Sequence, residues 1–184
     1  MGRHFGTDGV RGEANVELTP ELAFDLGRAA AAVLLRRESA ADEPVGRAKI
    51  IVGRDTRLSG DMLEAAFSAG VCSVGVDVLL LGVIPTPGVA ILCRRLNAGF
   101  GVVISASHNR FGDNGIKFFS TDGNKLSEEQ EERIESLLEN KEAIPRARGA
   151  ALGRIECFSG AIHTYGEHLR GHLPRRLDGM KVVL

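Results

Sequence analysis

The densest collection of reactive side chains lies in Ser105-Ala106-Ser107-His108-Asn109-Arg110-Phe111-Gly112-Asp113-Asn114-Gly115-Ile116-Lys117, where a hydroxyl, an imidazole, two amides and an ammonium group share one short stretch. Sequence neighbours such as Ser107 and His108 rarely meet in nucleophile-base geometry, and no G-x-S-x-G elbow is present, so a serine hydrolase is a poor fit. Phosphoryl transfer fits better, because it depends on positioning and on neutralising negative oxygens with lysine, arginine and metal ions. With no Walker loop and no kinase glycine loop, a nucleotide donor is not implied. Ser107 then becomes the candidate carrier of a phosphoryl group. For His108 the competing reading is an imidazole that only hydrogen-bonds the loop backbone.

Two other loops carry polar groups between glycines. Phe5-Gly6-Thr7-Asp8-Gly9-Val10-Arg11-Gly12 sets an arginine, an aspartate and a hydroxyl among three glycines that permit tight backbone geometry, or forms a plain β-turn with solvated charges. Gly53-Arg54-Asp55-Thr56-Arg57-Leu58-Ser59-Gly60 falls between a strand and a helix, where open α/β sheets bind ligands and helix N-termini favour anions. Its arginines are suited to phosphate, and equally to pairing with Asp55 or Asp61 in a surface network. His168 and His172 are four apart on an expected helix but lack the glutamate of H-E-x-x-H, which makes zinc a weak reading. Glu128, Glu129, Glu131 and Glu132 suit the dipole at a helix start better than acid-base work. Cys72, Cys93 and Cys157 match neither a disulfide framework nor a C-x-x-C site and read as reduced, buried thiols.

The elements that must hold these loops alternate. Thr19 and Pro20 start a helix expected to reach Arg37, with Leu22, Leu26, Ala29, Ala30 and Val33 on one face. A loop over Glu38–Ala48 leads to a buried strand at Lys49–Gly53, then a helix over Gly60–Ser73 capped by Ser59. A strand at Gly75–Leu81, a helix from the Pro85-Thr86-Pro87 turn to Arg95 and a strand at Phe100–Ile104 follow. Beyond the Ser107 loop come a short strand at Gly115–Phe119, a turn at Asp122-Gly123, and a helix with Ser127 and Gln130 at capping-box spacing. Its Ile134, Leu137 and Leu138 should pack on the sheet. Lys141–Gly153 reads as a surface connector, Ser159–Leu173 as a helix ended by Pro174, and Met180–Leu184 as the beginning of a strand. This alternation predicts an α/β fold, a mixed and mostly parallel sheet sandwiched between helices. Residues 1–154 form the expected α/β domain, and residues 155–184 a terminal helix with the start of a second.

Composition bounds the rest. The chain has 184 residues, 43% hydrophobic and 26% charged, which describes a globular domain plus an appendage and not a four-domain enzyme. Its 23 basic and 24 acidic side chains nearly cancel, which argues against nucleic acid as a partner. The N-terminus has no apolar signal region, and Gly6 stands where a myristoylation motif needs serine or threonine. The longest apolar run, Val74 to Ile84, contains Asp77 and is shorter than the roughly 20 residues that cross a bilayer. A cytoplasmic protein without membrane partners is the expectation.

Ser105 to Asn109 with Asn114 to Lys117 resembles the phosphoserine loop of the α-D-phosphohexomutases. Phe5 to Gly12 is similar to the opening of their glucosamine-phosphate branch, and Gly53 to Arg57 matches a third family motif in the same order. The resemblance covers essentially the whole chain. It implies interconversion of glucosamine 6-phosphate and glucosamine 1-phosphate, on the route to cell-wall precursors, through a phosphoserine at Ser107 and a sugar bisphosphate intermediate. It further implies Mg2+ held by the Ser107 phosphate and by aspartates outside this chain, and Lys117, Arg11 and His108 as catalytic groups. Asn109, Asp8 and Arg54 are implied as loop-organising or secondary contacts. A phosphorylated hexosamine is the implied substrate, and a homodimer the expected assembly at full length. The alternatives are a mutase of glucose or mannose phosphates, and a non-catalytic phosphosugar-binding fragment. Arg110 departs from the proline usual after Asn109, which implies a flexible, cationic turn. The aspartate-rich metal loop and the later sugar-recognition and phosphate-binding regions are not in this sequence, so the isolated fragment is expected to be inactive.

Overall fold

Thr19 and Pro20 start the first helix as their chemistry requires: proline needs no amide partner at this position, and the Thr19 hydroxyl accepts from the Leu22 N–H at 3.2 Å. In the computed structural model, which describes residues 4–6, 9–38, 47–173, 178–181 and 183, helix α1 spans Pro20–Glu38. Its inner face carries Leu26 and the alanine run Ala29 to Ala32, all buried. Such small residues let α2 (Ser59–Val74) come close. At Gly27 a β-carbon would collide with the Phe67 carbonyl, and at Gly70 with that of Phe24. The two helices therefore meet backbone against backbone.

Beneath them lies one six-stranded sheet. Its strands are β1 (Val10–Glu13), β2 (Lys49–Arg54), β3 (Asp77–Val83), β4 (Phe100–Ile104), β5 (Asp113–Ser120) and β6 (Ile155–Cys157), in the order β1-β5-β4-β2-β3-β6. Strands β4, β2, β3 and β6 are parallel, whereas β5 runs antiparallel to β4 and to β1. The period-two alternation of side chains divides the core in two. Ile50, Val52, Val102, Ile104, Ile116 and Phe118 face α1 and α2, while Ile51, Val103 and Phe119 face α3 (Thr86–Arg95). The mixed, mostly parallel sheet between helices is the expected architecture.

Ser127 and Gln130 form the expected capping box at the start of α4 (Glu128–Glu139). Ile134, Leu137 and Leu138 are buried in the same core as Ile116 and Phe118 of the sheet, and α4 packs chiefly on α1. From α4 the Glu135 carboxylate accepts from the His4 and Phe5 amides, each at 2.8 Å, and Phe5 packs on Phe118 with ring centroids 5.8 Å apart. The Asp122-Gly123 turn closes as a hairpin: Gly123 sits at φ 78° and the Ser120 N–H donates to the Asn124 carbonyl.

Several local expectations are corrected. Ser59 is the first residue of α2 and not its cap; Leu58 holds the cap position, and the Ser59 hydroxyl instead accepts from Asn114. Arg11 lies on a strand, β1, and not in a turn. The exposed strand β6 had no alternation to announce it. Two single 3-10 turns interrupt the connector, at Lys141–Ala143 and Gly149–Ala151, with Ile144 buried between them. The last helix, α5 (Ala161–Gly171), is shorter than expected and packs on α3 through the buried Ala161. Thr7, Asp8, most of the 38–48 loop, Pro174, Val182 and Leu184 lie outside the described residues. No helix among the described residues is long and apolar enough to cross a membrane.

Candidate active site

The loop Gly53–Gly60 and the Ser107 loop leave the sheet side by side, since Arg54 at the end of β2 is in register with Ile104 at the end of β4. The Asp55 N–H donates to the Ile104 carbonyl at 3.0 Å and joins the two exits. Both loops therefore sit beyond the carboxyl ends of parallel strands, where such sheets bind ligands. The Ser107 loop differs from an ordinary crossover in turning straight back into antiparallel β5.

Ser107 is exposed and adopts φ 55°, in the left-handed region that non-glycine residues seldom occupy. Its N–H donates to the Ser105 hydroxyl at 3.1 Å, and its Oγ lies 3.4 Å from His108 Nδ1. The structure thus brings the hydroxyl and the imidazole together despite their being neighbours in sequence.

Arg11 and Lys117 occupy one face of the β1–β5 pair. Val10 opposite Ile116 points into the α1–α2 core, so Arg11 opposite Gly115, and Lys117 two residues on, belong to the other face. Gly115 is required here: a β-carbon would come within 2.9 Å of both Arg11 Cγ and the Ser105 carbonyl. Gly9, at φ 87°, lies so close over β5 that a β-carbon would strike the Ile116 carbonyl. Lys117 and Gly9 border a cavity of about 210 Å³ that Phe119, Thr86, Lys125 and Glu131 help to line. Two cationic side chains, one on β1 and one on β5, therefore share a face beside the returning serine loop.

The remaining candidates do other work. Arg54 pairs with Asp61 and, at 3.4 Å, with Glu64. Burial pushes the Glu64 carboxyl up and the Arg54 charge partly opposes this. Asn109 donates to Asp113 Oδ2 at 3.1 Å, across the base of the loop. Fully buried Asn114 donates to the Ser59 hydroxyl at 2.9 Å and accepts from the Gly115 N–H at 2.8 Å, which ties the start of β5 to α2. His168 and His172 lie with ring centroids 4.5 Å apart and planes tilted by 53°, and His172 Nδ1 is 2.8 Å from the His168 carbonyl.

Arg57 is the residue whose place the sequence did not disclose. Its guanidinium neither stands on the surface nor projects outward. Its NH1 donates to the carbonyls of Arg110, Phe111 and Asp113, and its NH2 to those of Ser107 and Asn109. The Nε–H goes to Asp55 Oδ2 at 3.1 Å, whose Oδ1 accepts the Arg57 backbone N–H at 2.9 Å. The carbonyl of Arg110, the residue that replaces the usual proline, is among those bonded to Arg57. The pairing with Asp55 was one of the two readings of the sequence, but the contacts to residues 107–113 had no local signal.

The chain matches the model of the phosphoglucomutase/phosphomannomutase family, alpha/beta/alpha domain I, over residues 2–144. It belongs to that family. Among its relatives is the phosphoglucosamine mutase of Desulforamulus reducens, 54% identical over all of this chain and 40% of the relative. That of Moorella thermoacetica is 55% identical, with the same coverage. The chain thus spans about 40% of the length of the curated relatives it matches. A crystal structure from Thermus thermophilus, of a protein taken to be a phosphomannomutase, superposes with a TM-score of 0.75 at 33% identity, over 94% of this chain and 37% of that one. A phosphoglucomutase/phosphomannomutase family protein from Burkholderia thailandensis shares the fold, with a TM-score of 0.74 at 24% identity over 90% of this chain and 35% of its own.

A magnesium ion finds no ready set of ligands in this part of the protein. Among the described residues, no three His, Cys, Asp or Glu side chains converge on one point. The two carboxylates nearest the serine loop, Asp55 from the neighbouring loop and Asp113 at its end, are engaged by Arg57 and Asn109. These residues do not by themselves fit the ion.

Proposed function

We propose that this chain supplies the phosphoserine of a phosphohexomutase that interconverts glucosamine 6-phosphate and glucosamine 1-phosphate. The observation that carries the reading is the identity of 54–55%, along the whole chain, to proteins named phosphoglucosamine mutase. The exposed Ser107 hydroxyl beside an imidazole supports it.

In this reading Ser107 begins as the phosphoester. A sugar hydroxyl attacks the phosphorus, the bond from phosphorus to Ser107 Oγ breaks, and a sugar bisphosphate forms as the sugar's proton passes to the departing serine oxygen. After the intermediate turns over, Ser107 Oγ attacks the other phosphoryl group and yields its proton to the sugar oxygen that leaves. The serine is again a phosphoester, and the sugar has exchanged positions. His108 is the group placed to relay the proton to and from Oγ in each transfer, because it lies beside that atom. Lys117 and Arg11 neutralise charge on the group in transit. Magnesium, when bound, would neutralise phosphoryl oxygens as a Lewis acid, with its carboxylate ligands outside this chain. The segment 155–184 leads into a second domain, the protein is cytoplasmic, and the full-length enzyme is a homodimer with neither nucleic acid nor membrane as partner.

The test is phosphopeptide mass spectrometry on the protein from its own cell, combined with turnover of glucosamine, glucose and mannose phosphates. Phosphate on Ser107 and fastest turnover of the glucosamine phosphates are expected. Phosphate found elsewhere and never on Ser107 would sink the reading, while faster turnover of glucose or mannose phosphate would move the substrate and keep the mechanism.

A further inference from the structure

We propose that Arg57, fixed by Asp55, is a positioning residue for phosphoryl transfer, and that it gives the Ser107 loop its reactive shape; this rests on the phosphoserine reading above. Five carbonyl oxygens of the loop, from residues 107, 109, 110, 111 and 113, converge on one guanidinium. The arginine side chain is only 11% exposed, and its bonds to the loop are charge-assisted.

Two consequences follow from elementary electrostatics and sterics. A dianionic phosphoryl group on Ser107 is repelled by carbonyl oxygens, which carry partial negative charge. Turning five of them inward to a cation removes that repulsion from the face where the group must sit. In addition, the left-handed backbone at Ser107 is unfavourable for any residue with a β-carbon, so something outside the residue must maintain it. The bond from Arg57 to the Ser107 carbonyl acts directly on the peptide unit that sets this conformation.

Asp55 gives the clamp its orientation. It accepts from both the backbone and the Nε of Arg57, so one face of the guanidinium is fixed and the two terminal nitrogens are aimed at the loop. Lysine cannot replace this arrangement, because a single ammonium has three donors radiating from one point, whereas the guanidinium presents a planar fork. The bonds from Arg57 to the loop all end on main-chain oxygens, so the guanidinium works through the backbone.

The experiment uses the complete gene product. Arg57→Lys should lower kcat about 100-fold while KM stays within about threefold, as expected when reacting groups are misplaced by about an ångström. Its thermal midpoint should stay within about 2 °C. Amide hydrogen exchange at Asn109 and Asp113 should accelerate, because their N–H groups bond within the loop. In Arg57→Ala, free guanidinium should restore activity by at least about tenfold, a response that a purely structural role does not give. Asp55→Asn keeps the arginine but loosens its orientation, and should lower kcat by about tenfold.

The proposal is overturned if Arg57→Lys keeps kcat within about threefold of wild type, or if its loss of activity merely follows a loss of thermal stability without guanidinium rescue. Should Arg57→Lys fail to fold, Asp55→Asn decides, an unchanged kcat being the overturning result. Phosphate on Ser107 of the wild type separates the two readings. If it is present and these variants are fully active, only the clamp fails; if it is absent from the wild type, the phosphoserine reading fails.

Discussion

Where α1 and α2 meet, Gly27 and Gly70 remove side chains so that two backbones touch, and a row of buried alanines spreads the contact along both helices. In the Ser107 loop the reverse holds: Ser107, His108, Arg110 and Phe111 are exposed, the backbone is left-handed at Ser107, and a single guanidinium gathers the carbonyls. One region is defined by close packing and has no exposed chemistry. The other is defined by polarity and leaves its chemistry facing solvent. A layer with distributed contacts tolerates no added volume, whereas a loop with one hub tolerates change everywhere except at the hub and at the reactive group.

The comparison can be broken most severely at the reactive group. Ser107→Ala should reduce mutase turnover of the complete gene product by at least about 1000-fold. Its thermal midpoint should be unchanged, because the side chain is exposed and, among the described residues, its hydroxyl meets His108. Comparable turnover in this variant would remove the loop from catalysis. The opposite pattern is expected at Gly70→Ala, where the new methyl meets the Phe24 carbonyl. It should cost about 3 kcal/mol and lower the thermal midpoint by roughly 10 °C, read by calorimetry, while phosphorylation of Ser107 survives at low temperature.

Asn114 joins the two regions, and Asn114→Ala should show both effects in moderate form. It deletes two hydrogen bonds from a fully buried site, at a cost of about 2 kcal/mol by denaturant titration. A smaller, graded effect comes from Cys93 in the α3 layer. Burial, with Asp122 nearby as a lesser cause, pushes its thiol up to about 12 from 9.0. The folded state therefore disfavours the thiolate: its contribution is complete below pH 9.0 and is lost as pH rises toward about 12. The decline should approach 1.4 kcal/mol per pH unit, roughly, and flatten in Cys93→Ala. At pH 8, alkylation should label exposed Cys157 and spare buried Cys93.

Much of the framework was legible because its signals are local. Thr19-Pro20 and Ser127 with Gln130 specify helix starts through bonds to their own next turn. The β-branched run at Lys49 and the apolar run at Phe100 could only be buried strands. The serine loop was legible from its composition. The failures share a different cause. Ser59 looked like a cap because hydroxyls before helices usually are, yet its partner is Asn114, 55 residues away. Strand β1 looked like a turn because its partner, β5, lies a hundred residues on. Strand β6 is short and exposed, and gave no alternation to read.

The sequence by itself determined the alternating elements, the buried faces and the loop that holds the candidate serine, since each depends on residues within a few turns of one another. Only the tertiary structure decided that Arg57 grips residues 107–113, because that contact exists only when β2 lies beside β4 and their loops leave the sheet together. Strand order is a property of the whole sheet, and no local run of residues encodes it.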